Sequence, residues 1–250
     1  LVPTSGLVMQ EKLPKNARLF DQAKYIDQVQ KAMKDYNFVD VRDTLMDHND
    51  EYIYYKTDHH WTSAGACLAY DVWSERTGGE AETEDGLVKN VVSDKFRGSL
   101  YSKILDADSA YDEIWTYGLQ KDDAFGSKDC TVTIDEKQQL DSIYDDEMLQ
   151  KKDKYAYFLS GNYGQVHIQN QKAASKAKGK NILIIKDSFA NSFVPFVTQD
   201  YENIYMVDLR YYNGDMKSYL QEHNITDVLV LYNISNFISD RNLHKLTGGI

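Results

Sequence analysis

The sequence predicts an α/β fold: a parallel sheet with helices on both faces and a loop- and β-rich insertion. Two observations carry this expectation. Short apolar runs of strand length alternate with segments whose apolar residues recur at three- and four-residue spacing, near the start and again beyond residue 181, as in a sheet covered on both faces. Between residues 80 and 180 the rhythm breaks into acidic clusters, short β-like runs and turn residues, without repeats. That segment is expected to fold as hairpins and loops over one edge of the core. At 250 residues the chain is long enough for one domain, 1–250, with 80–180 inserted into it.

The first α/β unit covers residues 1–50. It starts with Leu1-Val2-Pro3, continues with a helix over Ala17–Tyr36, and closes with a short strand, Phe38-Val39-Asp40-Val41. Leu19, Ala23, Ile26, Val29 and Met33 supply the helical periodicity. Tyr52–Tyr55 leads into a loop, and Thr62 suits an N-cap for a helix whose apolar face is Ala64, Cys67, Leu68 and Val72 and whose end lies near Gly78-Gly79. Within the insertion, Thr131–Ile134 and Tyr155–Leu159 read as strands. Then follow a strand Ile182–Ile185, a helix from Phe189, a strand Ile204–Val207, a helix Asp215–His223 and a strand Val228–Leu231. Ligand sites in such sheets lie beyond the carboxyl ends of the strands. Ser188, Asp208–Arg210 and Asn233 each follow one, so they are expected to crowd a single rim.

Composition removes several functions. A net charge of −11, with 28 Lys and Arg among 39 acids, does not suit a nucleic-acid footprint, which needs a basic stripe. No apolar run approaches the ~18 residues of a membrane helix. Two cysteines, Cys67 and Cys130, make neither a disulfide-dense scaffold nor a zinc ribbon.

The chemistry concentrates in Thr57-Asp58-His59-His60-Trp61-Thr62. In extended backbone, side chains at i and i+2 share a side, so Asp58 can hold one ring nitrogen of His60 while the other faces a nucleophile. Ser188 follows an apolar strand and precedes a predicted helix, a position offering backbone N–H donors and a positive dipole end to a developing oxyanion. The plain alternative is an N-cap serine. Asp58, His59 and His60 could also be metal ligands. No further ligand stands at suitable spacing, His167, His223 and His244 are isolated, and adjacent residues point to opposite sides, so no metal is expected. Gly161 and Asn162 can supply oxyanion donors from a turn. Arg210 can present its fork to an acyl or sugar oxygen, and Tyr212 and Asn233 join the candidate substrate-binding rim.

Taken together, these residues resemble the DHHW-motif proteins, relatives of the alginate O-acetyltransferase group with an SGNH-hydrolase-like, flavodoxin-like fold. The resemblance covers most of the chain. It rests on Val2-Pro3-Thr4, on Tyr54-Tyr55-Lys56-Thr57-Asp58-His59-His60-Trp61-Thr62 with Gly65-Ala66, on Asp187-Ser188-Phe189, and on Val207-Asp208-Leu209-Arg210-Tyr211-Tyr212. It implies Asp58 as orienter, His60 as general base and Ser188 as nucleophile, without a cofactor. It also implies an extracytoplasmic O-acyltransferase or acetylesterase acting on a cell-surface or secreted polysaccharide. A membrane-bound acyltransferase would supply the acyl group, and a signal or anchor would precede Leu1. The usual glycine before Asp-Ser is Lys186 here, a side chain that could narrow the approach. The rival is a catalytically silent carbohydrate-binding or assembly protein of the same fold.

Overall fold

The computed structural model describes residues 1–79, 86–173 and 175–247; the expected start of the insertion, at residue 80, lies outside them. In chain order the elements are α1 (Ser5–Val8), α2 (Gln22–Ala32), α3 (Arg42–Asp47), α4 (Ser63–Arg76), β1 (Val88–Phe96), α5 (Ser99–Ile104), β2 (Asp112–Gly118), β3 (Cys130–Ile134), β4 (Gln138–Leu140), β5 (Gln165–Asn170), β6 (Asn181–Lys186), α6 (Val194–Val197), β7 (Asn203–Val207), α7 (Met216–Glu222), β8 (Asp227–Leu231) and α8 (Ile234–Ser239).

The main sheet runs β4-β3-β5-β7-β6-β8. It is mixed, which corrects the expectation of a parallel sheet. Only β7, β6 and β8 are parallel; β4, β3 and β5 join antiparallel, with Gln165 opposite Val207 and Gln169 opposite Asn203. The side-chain pattern explains the difference. Ile182 to Ile185 are all buried because both faces of β6 are covered, whereas β3 and β5 alternate, with Cys130, Val132, Ile134, Val166 and Ile168 inward, as antiparallel strands with one wet face do. The inserted segment therefore extends the sheet at one edge instead of lying over it. Strands β1 and β2 form a separate antiparallel ribbon.

Period-two alternation divides the core. Ile182, Ile184, Ile204 and Met206 face α4, Trp61, Phe193 and α6, while Leu183, Ile185, Tyr205 and Val207 face Met216 and Tyr219 of α7. Several local expectations change. Phe38–Val41 forms no strand. The first long helix is only Gln22–Ala32, because Asp21 caps it by accepting from Lys24 N; Ile26 is buried, while Leu19 and Met33 are exposed. The segment 155–159 is largely a 3₁₀ turn, Lys154–Tyr157. In place of a helix at Phe189 stands a 3₁₀ turn, Ser188–Asn191, followed by the one-turn α6, which carries Pro195 in its first turn. Helix α4 matches its expectation closely: Thr62 accepts from Gly65 N, and Gly78 adopts φ +80° just past the end.

Candidate active site

The loop before α4 is held from outside. Buried Asp112, at the start of β2, accepts from Thr57 N at 2.7 Å, from Lys56 N at 2.9 Å and from the Thr57 and Tyr52 hydroxyls. Thr57 Oγ1 in turn accepts from Gly98 N, and Ser99 N donates to Asp58 Oδ2 at 2.7 Å. The close approach requires a glycine at 98, since a Cβ there would collide with the Asp58 side chain. At the other end of the loop, Trp61 Nε1 donates to Phe189 O and Ser192 Oγ, both at 3.0 Å. One indole thus fastens the histidine loop to the serine turn.

Between these anchors the three expected residues meet. His60 Nδ1 lies 2.6 Å from Asp58 Oδ1, and His60 Nε2 lies 2.7 Å from Ser188 Oγ. Asp58 Oδ1 also accepts from His60 N at 3.0 Å. Asp58, His60 and Ser188 are all buried. Ionised Asp58 accepts the Nδ1 proton, so Nε2 carries the lone pair that receives the Ser188 O–H.

Burial pushes His60 down to about 4, against the raising effect of Asp58. Burial works the other way on Asp58, yet the approach of His59 at 3.6 Å and the hydrogen bond with His60 at 2.6 Å outweigh it and hold the carboxyl well below its ordinary range. The resting pair is carboxylate and neutral imidazole. The ring of His60 is clamped between Tyr155, stacked at 3.8 Å and 7°, and His59 at 3.9 Å and 38°.

That last contact corrects one expectation. His59 and His60 do not point apart, because the backbone bends through residues 56–60. Ligand atoms of Asp58, His59 and His60 lie within 4.8 Å of one another. Both nitrogens of His60 are already engaged, and His59 Nδ1 is 2.7 Å from Ser99 Oγ. A cation placed there would have to break the Asp58–His60–Ser188 chain.

The plain reading of Ser188 as an N-cap is also decided. Asp187 is the cap and accepts from Phe189 N at 2.9 Å, which leaves the serine hydroxyl to His60. Lys186, which stands where the resemblance implies a glycine, is 1% exposed. It turns inward and donates to Asn191 Oδ1 at 2.7 Å and Asn162 Oδ1 at 2.9 Å, so the His60–Ser188 contact stands undisturbed beside it. Asn191 Nδ2 donates to Gly161 O and Asn162 Oδ1, which ties the Gly161-Asn162 turn to the serine turn.

The other rim candidates have occupations of their own. Arg210 spends Nε and one terminal nitrogen on buried Asp208, at 2.9 and 2.6 Å. Tyr212 packs edge-on against Tyr219, with the α7 cluster. Asn233 caps α8 through Ser235 N, and its own N–H goes to Asp187 Oδ2. Asp112, Gly98, Tyr155 and Asn191 escaped the sequence reading, since their roles depend on partners distant in sequence. Lys186 carried a usable signal: it continues the inward alternation of Ile182 and Ile184, a charge where the pattern demands a core residue.

A family model described as DHHW protein matches residues 15–207. No curated protein sequence matches the chain. Among solved structures, a DHHW family protein from Eubacterium siraeum has a TM-score of 0.82 at 23% identity, covering 100% of this chain and 81% of that one. Bacillus cereus PatB1 with a sulfonyl adduct has a TM-score of 0.75 at 24% identity, covering 96% and 82%. The O-acetyltransferase domain of Pseudomonas putida AlgJ has a TM-score of 0.54 at 13% identity, covering 98% and 77%. These likenesses establish a shared mixed α/β fold.

Proposed function

The chain belongs to the DHHW protein family, and on that footing we propose that it is an extracytoplasmic, SGNH-like O-acyltransferase or acetylesterase acting through Ser188. The observation that carries the reading is the unbroken chain Asp58–His60–Ser188, with contacts of 2.6 and 2.7 Å. Residues 1–250 would form one SGNH-like domain with 80–180 built into it. The O-acetyltransferase domain of AlgJ supports acyl transfer on this fold. The sulfonyl adduct of PatB1 is what an activated nucleophile gives. A cell-surface or secreted polysaccharide as acceptor, and a membrane-bound acyltransferase as donor, follow from the resemblance to the alginate O-acetyltransferase group. Among the described residues no helix is long and apolar enough to cross a membrane.

In the first half-reaction Ser188 Oγ attacks the acyl carbonyl while its proton passes to His60 Nε2. The tetrahedral oxyanion is met by donors of the Gly161-Asn162 turn and the serine turn. Collapse breaks the bond to the leaving oxygen, which takes the proton from His60 and departs. In the second half-reaction His60 removes a proton from a sugar hydroxyl or from water, the new oxygen attacks acyl-Ser188, and the proton returns to the serine. Acyltransferase and esterase differ only in that final acceptor.

The test is turnover of an activated acetyl ester, with and without a candidate glycan. Wild type should turn over and should accept a sulfonyl fluoride on Ser188; Ser188→Ala should do neither while keeping its melting temperature within a few degrees, since Asp187 holds the cap. Wild type inert toward both reagents would leave the silent carbohydrate-binding reading in its place.

A further inference from the structure

A lysine buried beside an acyl-transfer centre has to do something with its charge, because an isolated ammonium is not tolerated in a core. Lys186 ends β6 two residues before Ser188 and finds two neutral partners, the side-chain oxygens of Asn191 and Asn162. An ammonium can only donate. Both amides must therefore turn their oxygens toward it, and their NH2 groups away. Asn191 spends its NH2 on Gly161 O and Asn162 Oδ1, at 3.2 and 3.3 Å. Asn162 Oδ1 is thus held twice, while Asn162 Nδ2 donates to no protein acceptor among the described residues, on a residue that is exposed.

The location relates this amide to the nucleophile. Ser188 and Asn191 begin and end one 3₁₀ turn, in which side chains at i and i+3 eclipse. Asn191 therefore stands one turn from Ser188 on the same side, with Asn162 bonded to it. The turn carrying Asn162 is set in shape by left-handed backbone at Leu159, Ser160 and Gly161, φ 62°, 58° and 123°, and the space a Cβ would take at Gly161 is open.

Resting on the acyl-transfer reading above, we propose that Lys186 is a positioning residue: by binding both amide oxygens it presents Asn162 Nδ2 to the carbonyl oxygen of the acyl group on Ser188. Without the ammonium only the 3.3 Å bond from Asn191 would fix which way the Asn162 amide faces, since Asn191 alone keeps a second partner in Gly161 O. Burial lowers Lys186 to about 8, with Asp208 and Asp187 pulling it upward and Arg210 and the neighbouring His60 as the other charged or titratable groups facing it. Above that pH the ammonium becomes an amine able to accept as well as donate, and the constraint on the amides relaxes.

The experiment is a double-mutant cycle on aryl acetate hydrolysis with wild type, Lys186→Met, Asn162→Ala and the double variant. Loss of one oxyanion donor costs about 10²-fold in kcat, so each single variant should lose roughly that much. The double variant should lose no more, and the fall in wild-type kcat above pH ~8 should be missing from Lys186→Met. Multiplicative losses, or full kcat in Asn162→Ala, would overturn the proposal while leaving Ser188 chemistry intact. Asn162 is exposed, so its variant decides the matter even if Lys186→Met does not fold: the fall in kcat above about pH 8 should be present in wild type and missing from Asn162→Ala, and an equal fall in both would overturn the proposal. A wild-type protein that neither turns over an ester nor accepts a sulfonyl fluoride would overturn the acyl-transfer reading and this inference with it.

Discussion

The ring of His60 lies flat on the ring of Tyr155, 3.8 Å between centroids and 7° from parallel, while the Tyr155 hydroxyl donates to the carbonyl of Ser188 at 3.0 Å. One side chain thus sets both the plane of the imidazole and the height of the serine backbone. Tyr155→Phe keeps the stack and loses the bonds to Ser188 O and Ser192 Oγ. It should fold, lose about 1 kcal/mol of stability and turn over several-fold more slowly. Tyr155→Ala removes the stacked wall, and a cavity of that kind costs about 3–5 kcal/mol. Thermal melting beside ester turnover checks both, and equal kcat in Tyr155→Phe and wild type would show that the hydroxyl positions nothing.

Gly98→Ala tests whether Asp58 is held by its surroundings. The new methyl must displace the Asp58 carboxyl, and with it the oxygen that His60 Nδ1 contacts at 2.6 Å. We expect at least a tenfold fall in kcat, given that small misplacements of catalytic groups cost that much or more. Stability should fall by about 1–3 kcal/mol, as for other overpacked sites. Retained activity would mean that the Asp58–His60 geometry tolerates displacement.

The pH profile follows from His60. Its folded value lies near 4 against an ordinary 6.5, so the imidazole is a competent base down to about pH 4, and the acid limb of kcat/KM should lie well below 6.5. Stability follows the same sign. Between about pH 6.5 and 4 the unfolded chain binds a proton that the folded ring refuses, so stability falls as pH falls through that window. Rate profiles and denaturant titrations at pH 7, 5.5 and 4.5 measure both; an acid limb at 6.5 or higher would show that Asp58 outweighs burial.

Added zinc should inhibit. Asp58, His59 and His60 offer ligand atoms within 4.8 Å, but a cation coordinating His60 takes the lone pair that Ser188 uses or the position of the Asp58 bond. Inhibition by micromolar Zn²⁺, relieved by chelator and weakened in His59→Ala, is the expected outcome. Activation by zinc, with loss of activity on chelation, would instead make the cluster a metal centre.

The sequence by itself determined what is local. Asp58 and His60 are two residues apart, so their pairing needed only a bend of chain. Thr62 caps the helix that begins next to it, and the apolar runs of β6 and β7 read as strands because burial on both faces leaves no polar position in their centres. The rim placement of Ser188 followed from strand direction alone. Pairing across the sheet was decided by the tertiary structure, since an apolar–polar alternation such as Cys130–Ile134 states that one face is wet without naming its neighbour. The same holds for the supports of the site: Asp112 reaches Thr57 across 55 residues, Tyr155 reaches Ser188 across 33, and Trp61 joins the serine turn across 128. Such contacts carry no periodicity, because each is a single polar or aromatic group meeting one partner. Only the folded chain brings those partners within the ~3 Å at which a hydrogen bond acts.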